Sequence, residues 1–377
     1  MSSELLIGSY GSLSGQYSYG GKELYRGISL AVAEVNRDGG INGARVDYQF
    51  IDDRSDVRKS ELAMSRLIEI DMATAILGGT TSKRALAVAS MCQNRGIPFV
   101  NTGASSEVIP QVGDYVFLTN FGNRSQAIAL AKFAYASLEC RRIGILYNPD
   151  DVYSQDMKVR FAHIYTHLGG EIAFEIPCLP GASNTRDILK AIQTQKIDGL
   201  FSPFIHPQGP TEYTAIRKSG MTIPIISGDG WLFEDSPPIT NLYHVKAFWP
   251  ENPDKVTQGF VKAYFHRYHE PPDDLSALGY DAARILFRSI REAKSLSGHK
   301  IRDALQNTAG FPGVCGKTTI DKQRHAEKDV YIFSSNKEKQ VKVKTISAQE
   351  IRHLSKALSL TGQKKSDPPG PSEGASP

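Results

Sequence analysis

Short apolar runs alternate with longer amphipathic ones from the start of the chain. Residues 5–9 and 46–52 read as strands, and residues 22–37 and 57–70 as helices. Two more apolar runs, Ala75-Ile76-Leu77 and Pro98-Phe99-Val100, read as buried strands. Each leads into a small polar loop: Gly78-Gly79-Thr80-Thr81-Ser82 after the first, Asn101-Thr102-Gly103-Ala104-Ser105-Ser106 after the second. Ser82 opens a helical pattern over 83–95 and is placed as its N-cap. Such βαβα alternation predicts an α/β fold, with a parallel sheet covered by helices on both faces and its strand-end loops along one rim. Hydroxyls and backbone N–H groups then gather at the carboxyl ends of two successive strands. Open α/β sheets bind ligands there, and a helix N-terminus at that place suits a carboxylate.

The pattern restarts near residues 119–123. Helices are expected at 125–138, 153–168, 187–195 and 209–219, with strands at 143–147, 172–176, 199–201 and 223–227. Past Trp249-Pro250 the chain turns more helical, over 258–268, 277–292 and 299–306, before strands at 330–333 and 340–345. Two α/β lobes follow, with the chain crossing between them more than once. At 377 residues the chain is also too long for one ordinary core. Residues 362–377, rich in Pro, Ser, Gly and charge, read as a disordered tail.

Composition narrows the chemistry. The net charge of +4 is spread without a basic stripe, so nucleic acid is not expected as a partner, and no apolar stretch reaches the length of a membrane span. Cys92, Cys140, Cys178 and Cys315 show no metal-ligand spacing and read as small buried hydrophobes. A Cys140–Cys178 disulfide is left open. No export signal precedes the first strand: either the protein is cytosolic, or a signal has been replaced by a start codon.

Several stretches together carry a family likeness. They are Ile7-Gly8…Leu13-Ser14-Gly15…Tyr19-Gly20, Ala31-Val32-Ala33-Glu34-Val35-Asn36, Gly39-Gly40-Ile41-Asn42-Gly43, Asp52-Asp53, Gly96-Ile97-Pro98, Ser227-Gly228-Asp229-Gly230 and Tyr280-Asp281-Ala282. In order and spacing, the chain from about residue 5 to 344 resembles the periplasmic leucine/isoleucine/valine-type binding proteins, the substrate-binding components of ABC importers. The resemblance implies the type I periplasmic binding protein fold: two Rossmann-like lobes with parallel sheets, joined by a three-segment hinge and closing on a ligand. It places residues 4–121 and 249–327 in lobe one, and 122–248 and 328–348 in lobe two. Asp56 and Thr81 stand near where the branched-chain binders keep a disulfide.

The same resemblance implies a free amino acid as ligand and a membrane permease of an ABC importer as partner. It also implies a periplasmic location, a monomer, no cofactor and no metal. Ser82 and Ser105 would hold the carboxylate; taken singly, each is also an ordinary cap or loop hydroxyl. Asp229, with the Gly103 carbonyl, would hold the ammonium, although an Asp-Gly turn alone explains an aspartate there. Tyr153 matches the aromatic residue that covers the ligand from lobe two, and Tyr19 a second one from lobe one. Ile205 replaces a usual tyrosine, with Phe204 before it and His206 at the rim. Trp231 caps the pocket or shrinks it. An apolar lining of this kind favours an aliphatic or aromatic side chain.

Catalysis finds no support. The chain has no GxxxxGK[ST], GxSxG or HExxH motif, and Asp52-Asp53 lacks the glycine fingerprint of a dinucleotide site. A ligand sensor built on the same fold, either a cytosolic regulator or a receptor module, is the remaining alternative to an import component.

Overall fold

The computed structural model describes residues 5–181, 185–230, 239–336 and 339–363. The first half of the chain runs β1 (Leu5–Gly11), α1 (Ser18–Arg37), β2 (Val46–Asp52), α2 (Val57–Glu69), β3 (Ala75–Gly78), α3 (Ser82–Arg95), β4 (Phe99–Asn101), β5 (Val116–Phe121), α4 (Asn123–Ala136), β6 (Arg142–Tyr147), α5 (Val152–His167) and β7 (Glu171–Pro177). It continues through α6 (Thr185–Gln195), β8 (Gly199–Phe201), α7 (Gln208–Lys218), β9 (Ile225–Ile226), β10 (Leu242–Lys246), α8 (Lys255–Tyr268), α9 (Asp274–Ala293) and α10 (Gly298–Gln306). Last come β11 (Phe311–Gly313), β12 (Gly316–Ile320), β13 (His325–Glu327), β14 (Val330–Asn336), β15 (Lys339–Ile346) and α11 (Ala348–Gln363).

Two sheets result, in the orders β11-β12-β13-β5-β4-β3-β1-β2 and β15-β14-β10-β9-β8-β6-β7. The five strands β2-β1-β3-β4-β5 are parallel, as are β7-β6-β8-β9-β10. Each lobe therefore repeats the 2-1-3-4-5 order of an open doubly wound sheet, whose ligands sit beyond the strands' carboxyl ends. The chain passes between the sheets after β5, after β10 and between β13 and β14. Three crossing segments are the outcome. β1, β3, β4 and β5 are almost wholly buried, as strands covered on both faces must be. Among the described residues, no helix is long and apolar enough to cross a membrane.

Several expectations shift. The strand expected over 223–227 shortens to β9, because Pro224 has no N–H to give the ladder. Ser82 is the first helical residue of α3, and Thr81 is the N-cap. No disulfide joins Cys140 to Cys178, which lie in different core clusters. A final helix, α11, follows β15 and packs on α4 through a Lys132–Glu350 ion pair of 2.7 Å. The expected tail thus begins inside that helix; residues 364–377 lie outside the described residues.

Helices α1 and α9 pack so closely that Gly27 touches the α9 backbone. A Cβ on Gly27 would fall on the Ser276 carbonyl oxygen, and backbone cannot swing aside as a side chain can. Gly27→Ala should therefore force the helices apart and cost about 1–3 kcal/mol. Urea unfolding reads this directly: an unchanged midpoint would show that the contact is slack.

Candidate functional site

The carboxyl ends of both sheets open onto one cavity with an empty volume of about 620 Å³, including its mouth. Lobe one contributes Tyr17 and Gly20 after β1, Thr80–Ser82 after β3, Gly103–Ser105 after β4, and Asn120 from β5. Helix α9 adds Asp274, Leu275 and Leu278 at its amino end. Tyr153, Ile205, His206, Asp229 and Gly230 come from the ends of β6, β8 and β9 in lobe two.

The β3–α3 junction is prepared for an anion. Thr81 makes no side-chain cap bond, so its hydroxyl leaves the first-turn N–H groups of α3 without the usual acceptor. That hydroxyl instead accepts from Arg84 Nε at 3.1 Å, and the Thr80 hydroxyl accepts from Arg84 Nη2 at 2.5 Å. Arg84 is buried and reaches on to Ser12 and to Asp53 Oδ1, the latter at 3.3 Å, while its guanidinium lies 4.9 Å from the Tyr17 ring centre. Asp53 is thus the buried counter-ion of the loop cluster. Asp52 braces the β1–α1 loop, accepting from Leu13 N at 2.9 Å and Ser14 Oγ at 2.7 Å.

Opposite stands Asp229. Ser105 Oγ donates to its Oδ1 at 3.4 Å and Asn120 Nδ2 to its Oδ2 at 3.1 Å, so a lobe-two carboxylate is held by lobe-one donors. Its backbone N–H donates to Gln126 Oε1 at 3.1 Å. Burial, and then the neighbouring charge of Asp274, push its carboxyl up to about 7 against the bonds that favour ionisation. The Tyr153 ring is buried over Gly228, where a Cβ would strike the tyrosine hydroxyl; glycine is what lets the ring approach.

Six residues singled out from sequence, Ser82, Gly103, Ser105, Tyr153, Ile205 and Asp229, therefore wall one cavity. Tyr19 does not. The helical phase presents Tyr17 and Gly20, three residues apart, and turns Tyr19 aside. Phe204 is buried in the lobe-two core, 6.3 Å from the Tyr213 ring, so of this neighbouring pair only Ile205 faces the cavity. Trp231 lies outside the described residues. Asn120, Asp274, Leu275 and Leu278 were not anticipated, since nothing local in the sequence marks them. No cluster that could hold a metal ion occurs among the described residues.

A family model described as periplasmic binding protein matches residues 4–340. The chain belongs to that family. This periplasmic binding protein is a solute binder and not an enzyme. It is 22% identical over 324 residues to the Leu/Ile/Val-binding protein BraC3 of Rhizobium johnstonii, covering 84% of this chain and 87% of that one. Its fold is that of a leucine-binding protein from Thermotoga maritima, with a TM-score of 0.85 at 24% identity over 92% of this chain and 99% of that one. A Rhodopseudomonas palustris (R. palustris) solute-binding protein in complex with 4-hydroxybenzoate is similar too, with a TM-score of 0.84 at 20% identity over 94% of this chain and all of that one.

Proposed function

We propose that this periplasmic binding protein captures a free α-amino acid between its lobes and hands it, as a monomer in the periplasm, to the permease of an ABC importer. One observation carries the reading: a half-buried carboxylate from lobe two, Asp229, shares a cavity with the uncapped N-terminus and hydroxyls of lobe one. The ligand carboxylate takes the N–H groups of Ser82 and its neighbours, and the ammonium takes Asp229 and the Gly103 carbonyl. Ile205, Leu275 and Leu278 give the side chain an apolar wall. Lobe one comprises residues 4–121 and 249–327. Lobe two comprises 122–248 and 328–348, with α11 packed on its helix α4. A ligand gripped from both sides favours the closed arrangement. A relative holding 4-hydroxybenzoate raises an aromatic acid as a rival, but an acid without an amine leaves Asp229 unanswered.

Calorimetry on protein unfolded and refolded to strip carried-over ligand tests this. Amino acids should bind, and their deaminated analogues should not. Ser105→Ala should weaken the amino acid by roughly 0.5–1.5 kcal/mol, the worth of one hydrogen bond. Equal binding by an amino acid and its deaminated analogue would overturn the reading.

A further inference from the structure

We propose that Asp274 is a second cation-recognising residue of the cavity, so that the ligand is a dibasic amino acid: an aliphatic stem carrying a second positive charge. This rests on the amino-acid reading above.

Asp274 opens α9 and walls the same cavity as Asp229. An aspartate in a helix's first turn is common for electrostatic reasons alone. Its surroundings go further. Phe248 N, in the second crossing segment, donates to Asp274 Oδ1 at 2.8 Å and so fixes where the carboxylate sits. Lys246 and Lys328 lie near enough to favour its charge, yet neither forms an ion pair with it among the described residues. Nor does Asp229 have an ion-pair partner there, and the residues lining the cavity include no lysine or arginine. Beside Asp229, the buried Tyr153 hydroxyl faces the same carboxylate.

Charge balance then selects the ligand. A neutral amino acid cancels Asp229 with its ammonium and gives its carboxylate to the α3 terminus. Asp274 still faces the cavity with no cation on that side, because Lys246 and Lys328 favour its charge from outside the cavity lining. A second ammonium or guanidinium would pair with that carboxylate from the cavity side. Leu275, Leu278 and Ile205 suit the methylenes that would join the two cationic groups, since long basic side chains lay their stems on apolar surface.

The test is calorimetry at pH 8 on the stripped, full chain with norleucine, ornithine, lysine, arginine and the diamine cadaverine. Lysine or one of its basic homologues should bind about tenfold or more tighter than norleucine, which has a similar stem and lacks the second charge. Asp274→Asn keeps an acceptor for Phe248 N. It should weaken the basic ligand by roughly tenfold or more and change norleucine by less than about threefold. Norleucine binding as tightly as the basic series overturns the proposal, and needs no variant. So does an equal loss for both ligands in Asp274→Asn. Cadaverine binding with no amino acid binding would sink the amino-acid reading and keep Asp274 as a cation site. Silence from every ligand would sink both.

Discussion

Asp229→Asn should abolish amino-acid capture and, at the same time, make the empty protein more stable at pH 8. Binding should fall by about 2–5 kcal/mol, the cost of leaving a buried ammonium without its partner. The gain in stability follows from the raised carboxyl, which sits at about 7 in the folded chain against an ordinary 3.8. Below the lower value both folded and unfolded chains hold the proton, and the advantage of burying a neutral acid is complete. As pH rises through about 7 the folded chain must ionise a buried group, and that advantage is lost. By pH 8 the penalty is on the order of 2–4 kcal/mol, which asparagine never meets. Thermal denaturation of the ligand-free variant should therefore show a higher midpoint than the parent at pH 8 and little difference at pH 4. Wild-type affinity should also decline below pH 7, where a proton occupies the site and must leave as ligand arrives. Asp274, Tyr153, Asn120, Ser105 and Gln126 face the same carboxylate, so the transition belongs to the cluster. Near-native affinity in Asp229→Asn would end the ammonium assignment.

What could be read from the sequence, and what could not, divides along the chain's own geometry. Strands β3, β4 and β9 lie in short apolar runs because both faces are covered. Ser82, Ser105 and Asp229 follow such runs directly, so a strand end in the sequence is already a place on the sheet's rim. Asn120 and Asp274 carry no such signal. One ends a strand just before a crossing segment and the other opens a helix, and only the folded topology brings them beside Asp229. Tyr17 and Tyr19 differ by a helical phase that two residues cannot reveal. Strands β11 and β13 have three residues each, too few for alternation to show. In α11, Ile351, Leu354 and Leu358 do recur at helical spacing, but they sit next to a polar, proline-rich end whose composition masked them.

Arg84→Met is the substitution expected to cost the most stability. Arg84 and Asp53 are both buried, and the carboxylate also accepts from Ser12 Oγ at 2.6 Å, Ser60 Oγ at 3.0 Å and Ser55 N at 2.9 Å. Removing the guanidinium strands a buried anion whose neighbours supply neutral donors only. The loss should be about 3–5 kcal/mol, visible as a large fall in the urea midpoint. Adding Asp53→Leu should recover most of it, because an apolar pair can replace a buried ion pair at little cost. Binding should behave differently. Arg84 also anchors the hydroxyls of Thr80 and Thr81 and lies over Tyr17, all three of them walls of the ligand cavity. The double variant should thus regain stability while its affinity for the ligand stays roughly tenfold or more below the parent's, since loosely held donors give up preorganisation. If Arg84→Met unfolds within about 1 kcal/mol of the parent, the pair is not the keystone of the loops that its burial implies. If stability and affinity return together in the double variant, Arg84 serves the fold alone, and the anion site is organised by the α3 terminus without it.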